Sequence, residues 1–125
     1  YVWGRKYWDH LTLTAQAEQS LNSCPAAKAG YQLFRQHSLA SAIKKNSTYD
    51  VVISCVAFDG ENLELQNCLG STGIKNWCNE WEHIFNSDVL FKSWTHQEWV
   101  NFVRKNKINN DVDEWLEYVS KRYKY

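Results

Sequence analysis

The chain has 125 residues, 44% hydrophobic and 22% charged, with one proline. That is enough for one domain, residues 1–125, with a core of its own, and it excludes a disordered tail, a collagen-like repeat and a low-complexity linker. Fourteen Lys+Arg offset fourteen Asp+Glu, which excludes a strongly basic nucleic-acid module but leaves local basic patches open.

Val2-Trp3-Gly4-Arg5-Lys6-Tyr7-Trp8 predicts an aromatic-rich first strand. A chain that opens directly in a strand predicts a larger part upstream. Residues 14–21 predict a short helix, broken by Asn22-Ser23-Cys24-Pro25. Residues 26–45 predict a long helix. Tyr31, Phe34, Ser38 and Ala42 form its stripe, Leu33, Ala40 and Ile43 widen it, Pro25 suits its first turn, and Lys44 and Lys45 complement its dipole.

Residues 49–58 are the clearest strand. Val51, Val52, Ile53, Val56 and Phe58 are nearly continuous, which predicts burial on both faces. Strand, helix and strand predict a right-handed βαβ unit with strands 2–8 and 49–58 adjacent and parallel. Asp59-Gly60-Glu61-Asn62 then ends the strand with turn chemistry. Residues 62–69 predict a short helix, 70–73 a loop, 77–85 a helix with Trp77, Trp81 and Phe85 on one face, and 89–91 a short strand. Thr95-His96-Gln97-Glu98 is a capping box opening a helix through Lys105. Asp111 caps a last helix in which Val112, Leu116, Val119 and Tyr123 share a face. The fold class expected is α/β, a small mixed sheet flanked by helices.

Cys24, Cys55, Cys68 and Cys78 show no C-x-x-C spacing. They predict unpaired thiols, no zinc and a reduced, cytoplasmic protein, with Cys55 buried inside its apolar run. That run, residues 51–58, is far too short for a membrane span, and residues 1–10 contain no apolar leader core. Trp77, Trp81, Trp99 and Trp115 fall on apolar helical stripes and predict core packing, while Trp3 and Trp8 stay open between packing and stacking. Glu80 and His83 have the spacing of half a di-iron motif, and as a pair read as a solvated helix face. The Asp59–Asn62 turn follows the carboxyl end of the central strand, where α/β proteins place ligands; the alternative is a plain turn.

Lys6 alternates with Tyr7, and Asp9 follows three positions on. A lysine beside carboxylates on one strand suits metal-assisted phosphodiester cleavage, the carboxylates holding the ion and the lysine orienting water. Gln32, Arg35 and Gln36 are neighbours on a helix face that could reach a phosphate. The alternative for Lys6 is an ordinary edge-strand charge.

Gly30-Tyr31-Gln32-Leu33-Phe34-Arg35-Gln36 with Leu39-Ala40, then Tyr49-Asp50-Val51-Val52, resembles the second half of proteins of the PD-(D/E)XK nuclease superfamily, bacterial restriction-endonuclease-like proteins. The chain end, Trp94-Thr95-His96-Gln97-Glu98-Trp99-Val100 and then Trp115-Leu116-Glu117-Tyr118-Val119 with Arg122-Tyr123, is similar too. The resemblance implies a restriction-endonuclease-like core whose catalytic strand carries Glu-x-Lys. Lys6, Tyr7 and Asp9 match the lysine, the tyrosine and a later acid, but Gly4 stands at the glutamate position and the strand bearing the upstream aspartate is not in the chain. By that resemblance Lys6, Asp9 and Gln32 are catalytic, Asp9 is the magnesium ligand, and Arg35, Lys44 and Lys45 contact DNA. Magnesium is the cofactor if the site is active, DNA is the partner, and an upstream segment or a partner chain completes the domain. The functions implied are a nuclease-like domain, incomplete or inactive as this chain, or a non-catalytic module that binds DNA or protein.

Overall fold

The computed structural model describes residues 5–26, 30–107 and 109–125. The chain divides into two compact units, residues 1–56 with 63–92, and residues 57–62 with 93–125. The architecture is mixed helix and strand, with a two-stranded parallel sheet among the described residues.

In the first unit Arg5–Tyr7 is a turn of 3-10 helix and not a strand. Two local bonds close it and the turn that follows, Trp8 N–H to the Arg5 carbonyl at 3.1 Å and His10 N–H to the Tyr7 carbonyl at 3.2 Å. The Tyr7 carbonyl also accepts from Ser38 Oγ at 2.8 Å, so a group that a ladder would use is taken by a helix side chain. Val2, Trp3 and Gly4 lie outside the described residues. The expected pairing of strands 2–8 and 49–58 is therefore corrected over residues 5–8.

Helix α1 (Ala15–Ser20) is capped by Thr14, whose hydroxyl accepts from Ala17 N–H at 3.2 Å. Helix α2 (Gly30–Asn46) is preceded by a turn at Pro25 and Ala26, so Pro25 does not open it; residues 27–29 lie outside the description. A Cβ on Gly30 would lie 2.1 Å from the Pro25 carbonyl oxygen, and only glycine lets the chain pass there. The buried stripe of α2 is half polar. Leu33, Phe34 and Ala40 share it with His37, Ser38 and Ser41, and Ile43 is exposed.

Strand β1 (Ile53–Phe58) is shorter than the apolar run before it suggests. Lys44 Nζ donates to the carbonyls of Tyr49 and Asp50 at 2.9 and 2.7 Å, anchoring the chain ahead of the strand to the end of α2. Burial alternates: Ser54 is buried, while Ile53 and Cys55 are exposed. Both the two-sided burial and the buried Cys55 thiol are thus corrected, because the sheet has one covered face here. Strand β2 (Leu90–Thr95) runs parallel to β1, with Leu90 N–H donating to the Val52 carbonyl at 3.1 Å.

Between the strands come α3 (Leu63–Gly70) and α4 (Trp77–Glu80), the latter tightening into a 3-10 turn over Trp81–Ile84. Trp81 has no exposed surface and lies 5.4 Å from the Phe85 ring and 6.3 Å from Phe91. Trp77 joins Phe91 at 6.1 Å and Phe34 joins Phe85 at 5.9 Å, in tilted contacts that suit ring quadrupoles. Trp8, left open by the sequence, packs tilted on Phe34 at 4.4 Å.

In the second unit α5 (His96–Asn106) and α6 (Asp111–Tyr123) form a helical hairpin. The capping box forms as expected: Thr95 Oγ1 accepts from Glu98 N–H at 3.0 Å, and the Glu98 carboxylate accepts from Thr95 N–H at 2.6 Å. Asp111 is the first helical residue rather than the cap, which is Asn110. Val100, Leu116 and Val119 make the seam. A two-helix seam is too narrow to cover indoles beside it, so Trp99 is 50% exposed and Trp115 41% exposed, correcting the expectation that both are core. No helix among the described residues is long and apolar enough to cross a membrane.

Candidate functional site

The sequence places a site at Lys6, Asp9, Gln32 and Arg35. The structure brings the first turn against α2, with Tyr7 edge-on to Tyr31 at 6.4 Å. All four candidate residues are exposed, however, and none lines the cavity of about 350 Å³ that Arg5, Tyr7, Trp8, Tyr31 and Phe34 border beside them. Lys45 Nζ donates to the His10 carbonyl at 2.9 Å, and Lys44 holds the two carbonyls ahead of β1. Both lysines therefore anchor chain segments around the end of α2.

Magnesium binds about six oxygens at near-octahedral geometry, commonly with one or two carboxylates in the set. Asp9 is a single exposed turn carboxylate, and no group of three or more His, Cys, Asp or Glu suited to a metal occurs among the described residues. The residues present do not fit that ion. Glu80 and His83 are both solvent-facing.

A more built arrangement lies at the carboxyl ends of β1 and β2, where the chain leaves Phe58 for the Asp59 turn and Thr95 for α5. Crevices of this kind are where parallel-strand proteins place ligands. The Asp59 carboxylate accepts from Gln97 Nε2 at 2.7 Å and from Glu61 N–H at 3.0 Å. Gln97 completes the clamp by accepting from Gly60 N–H at 3.0 Å through its Oε1. A Cβ on Gly60 would stand 3.0 Å from Thr95 Cγ2 and 3.2 Å from that Gln97 oxygen, so a side chain here would make both give by a few tenths of an ångström.

Tyr125 reaches into the same cluster. Its hydroxyl hydrogen-bonds the Asp59 carboxylate and lies 3.2 Å from His96 Nδ1. The Gln97 bond, then the Glu61 N–H and the Tyr125 hydroxyl, hold the Asp59 carboxyl below its usual range. Burial, then the Asp59 bond and charge, push the Tyr125 phenol up. A general acid or base works best with a pKa near the working pH. Here the carboxylate is held ionised and the phenol protonated, which suits positioning rather than proton transfer.

Next to this cluster is a cavity of about 360 Å³. Val100 and Val119 from the hairpin seam line it together with the rings of His96, Trp99, Trp115, Tyr123 and Tyr125. The size and ring-rich walls are those of a small-ligand pocket with polar groups at one end. The Asp59 turn was visible in the sequence as a place for a ligand. Gln97 stood inside the capping box, and Trp99 and Trp115 on helical stripes. Tyr125, at the chain end, gave no signal at all. Comparison with protein-family models, with curated proteins and with solved structures finds no match to this chain.

Proposed function

We propose that the chain is a non-catalytic binding module whose ligand site is the ring-walled pocket at the carboxyl ends of β1 and β2. One observation carries this reading: an apolar cavity adjoins an ionised Asp59 locked by Gln97, Glu61 and Tyr125. Perturbed ionisable groups beside an apolar cavity are the usual mark of a ligand site. The nuclease-like reading keeps less support, since Lys6 and Asp9 stand exposed on turns without a second carboxylate grouped with them among the described residues.

A fragment screen by NMR on the labelled chain tests this. The expected shifts concentrate on the Trp99 and Trp115 indoles and on Tyr125. Shifts gathered instead around Lys6, Gln32 and Arg35 on titration with a short DNA duplex, or magnesium-dependent plasmid cleavage lost in Lys6→Ala, would overturn the reading.

A further inference from the structure

We propose that this pocket takes a fully methylated ammonium ion, a cation of the choline type. The inference rests on the reading of the pocket as the ligand site and adds the chemistry of the ligand. Trp99, Trp115, Tyr123 and Tyr125 line the cavity, with Tyr123 and Tyr125 stacked on each other at 5.7 Å, and aromatic faces carry negative potential. Tyr125 meets His96 at 3.2 Å, the next residue, Gln97, bonds Asp59 at 2.7 Å, and burial, then the charges of Asp59 and Glu61, two carboxylates of one turn, raise the Tyr125 phenol. Ring faces with an anionic end complement a soft cation better than they complement an anion or a neutral apolar molecule.

The hydrogen-bond arrangement selects among cations. Asp59 already accepts from Gln97 Nε2, Glu61 N–H and the Tyr125 hydroxyl. A primary ammonium brings three donors that need acceptors, whereas the pocket walls are mainly rings and valine side chains. A quaternary nitrogen brings none, so the charge can be felt through the rings without an unmet bond. The rim shows the same attraction within the chain: the Arg122 guanidinium lies 5.8 Å from the Tyr118 ring centre and 5.6 Å from that of Tyr123. Lys121, Arg122 and Lys124 are the cations on that end of α6; all three are exposed, where salt screens them.

The test titrates the full chain, labelled for indole N–H detection, at constant ionic strength with three probes: choline, its neutral carbon isostere 3,3-dimethyl-1-butanol, and ethanolamine. Choline is expected to move the Trp99 and Trp115 signals saturably. Both other probes are expected to bind about tenfold more weakly or worse, the scale of a desolvated cation–π contact. Asp59→Asn, isosteric and on a turn, should weaken choline severalfold while circular dichroism stays unchanged. Equal binding of the neutral isostere overturns the cation and leaves the ligand pocket standing. Equal binding of ethanolamine overturns the requirement for methylation. Absence of saturable shifts with choline overturns the proposal, and if the fragment screen also leaves these indoles unmoved, the pocket reading fails with it.

Discussion

His37 has no exposed surface and sits in the middle of the buried stripe of α2. Its Nδ1 shares a hydrogen bond of 3.0 Å with Ser54 Oγ of β1, and its ring stacks on Phe85 at 5.2 Å. Its Nε2 has no hydrogen-bond partner among the described residues. Burial lowers its pKa from 6.5 to about 4, with the Glu82 carboxylate pulling the other way. The unfolded chain thus takes up this proton near pH 6.5 and the folded protein only near pH 4. The stabilisation is complete above pH 6.5 and is lost as pH falls from there toward 4. At ~1.36 kcal/mol per pH unit of difference, the whole window is worth roughly 3 kcal/mol, and the step from pH 7 to pH 5 about 2 kcal/mol. That is a large share of the stability of a small domain.

Urea unfolding at pH 7, 6 and 5 measures this, with His37→Asn as the comparison because asparagine keeps a polar group near the Nδ1 position facing Ser54. The wild-type chain is expected to lose about 2 kcal/mol between pH 7 and 5. The variant should start lower and stay nearly flat. The other three histidines keep exposed surface, and Asp59 and Glu98, both lowered by hydrogen bonds, lose their contributions only below this window. A variant that loses as much stability as the wild type, or a His37 ring titrating near 6.5 in the folded protein, refutes the reasoning.

Thr95→Ala removes the hydroxyl that caps α5 and should cost about 1 kcal/mol in urea unfolding; a change within error would mean the helix is held by its seam alone. Gly60→Ala crowds Thr95 Cγ2 and the Gln97 oxygen, so a loss on the order of 1 kcal/mol is expected, together with an Asp59 pKa that rises as the Gln97 bond loosens, read by carboxyl NMR. An unchanged Asp59 titration would show that Gln97 is not what holds it. The isolated chain should show no magnesium-dependent cleavage of duplex DNA, and cleavage abolished by Lys6→Ala is the contrary result. All four thiols are unpaired; the denatured, unreduced chain should titrate four, with Cys24 and Cys55 reacting first in the native state because they are exposed.

Where local chemistry decides, the sequence was informative. Thr14 and the Thr95–Glu98 box begin α1 and α5 because a hydroxyl and a carboxylate meet backbone donors three residues away, a relation written in the chain itself. The failures share a different cause. Aromatic richness at residues 2–8 suggests a strand, yet what fixes Tyr7 is the hydroxyl of Ser38 on α2, and Ser41 takes the His10 carbonyl in the same way at 2.8 Å. The apolar run at 51–58 suggested double burial, but burial depends on how many layers cover a sheet. Ile53 and Cys55 are exposed because one face has no cover here.

The candidate site divides along the same line. Its location follows from a general property of parallel strands: their carboxyl ends release the chain into a turn and a helix start side by side, leaving polar backbone and a crevice. Asp59 was therefore findable. Its chemistry was not, because a lone aspartate on a turn is ordinarily solvated, and this one is set apart by Gln97 from the next strand–helix junction and by Tyr125 from the end of the chain. The tryptophans show the converse. Trp81 and Trp99 both lie on apolar stripes, yet Trp81 sits among Phe85 and Phe91 with no exposed surface, whereas Trp99 borders a hairpin seam of three buried residues and is left half exposed. An aromatic stripe becomes core when a second layer closes over it, and stays available to a ligand when it does not. The rings near the end of the chain are left uncovered in this way, whereas the lysine and carboxylate near its start stand on solvated turns outside the cavity beside them.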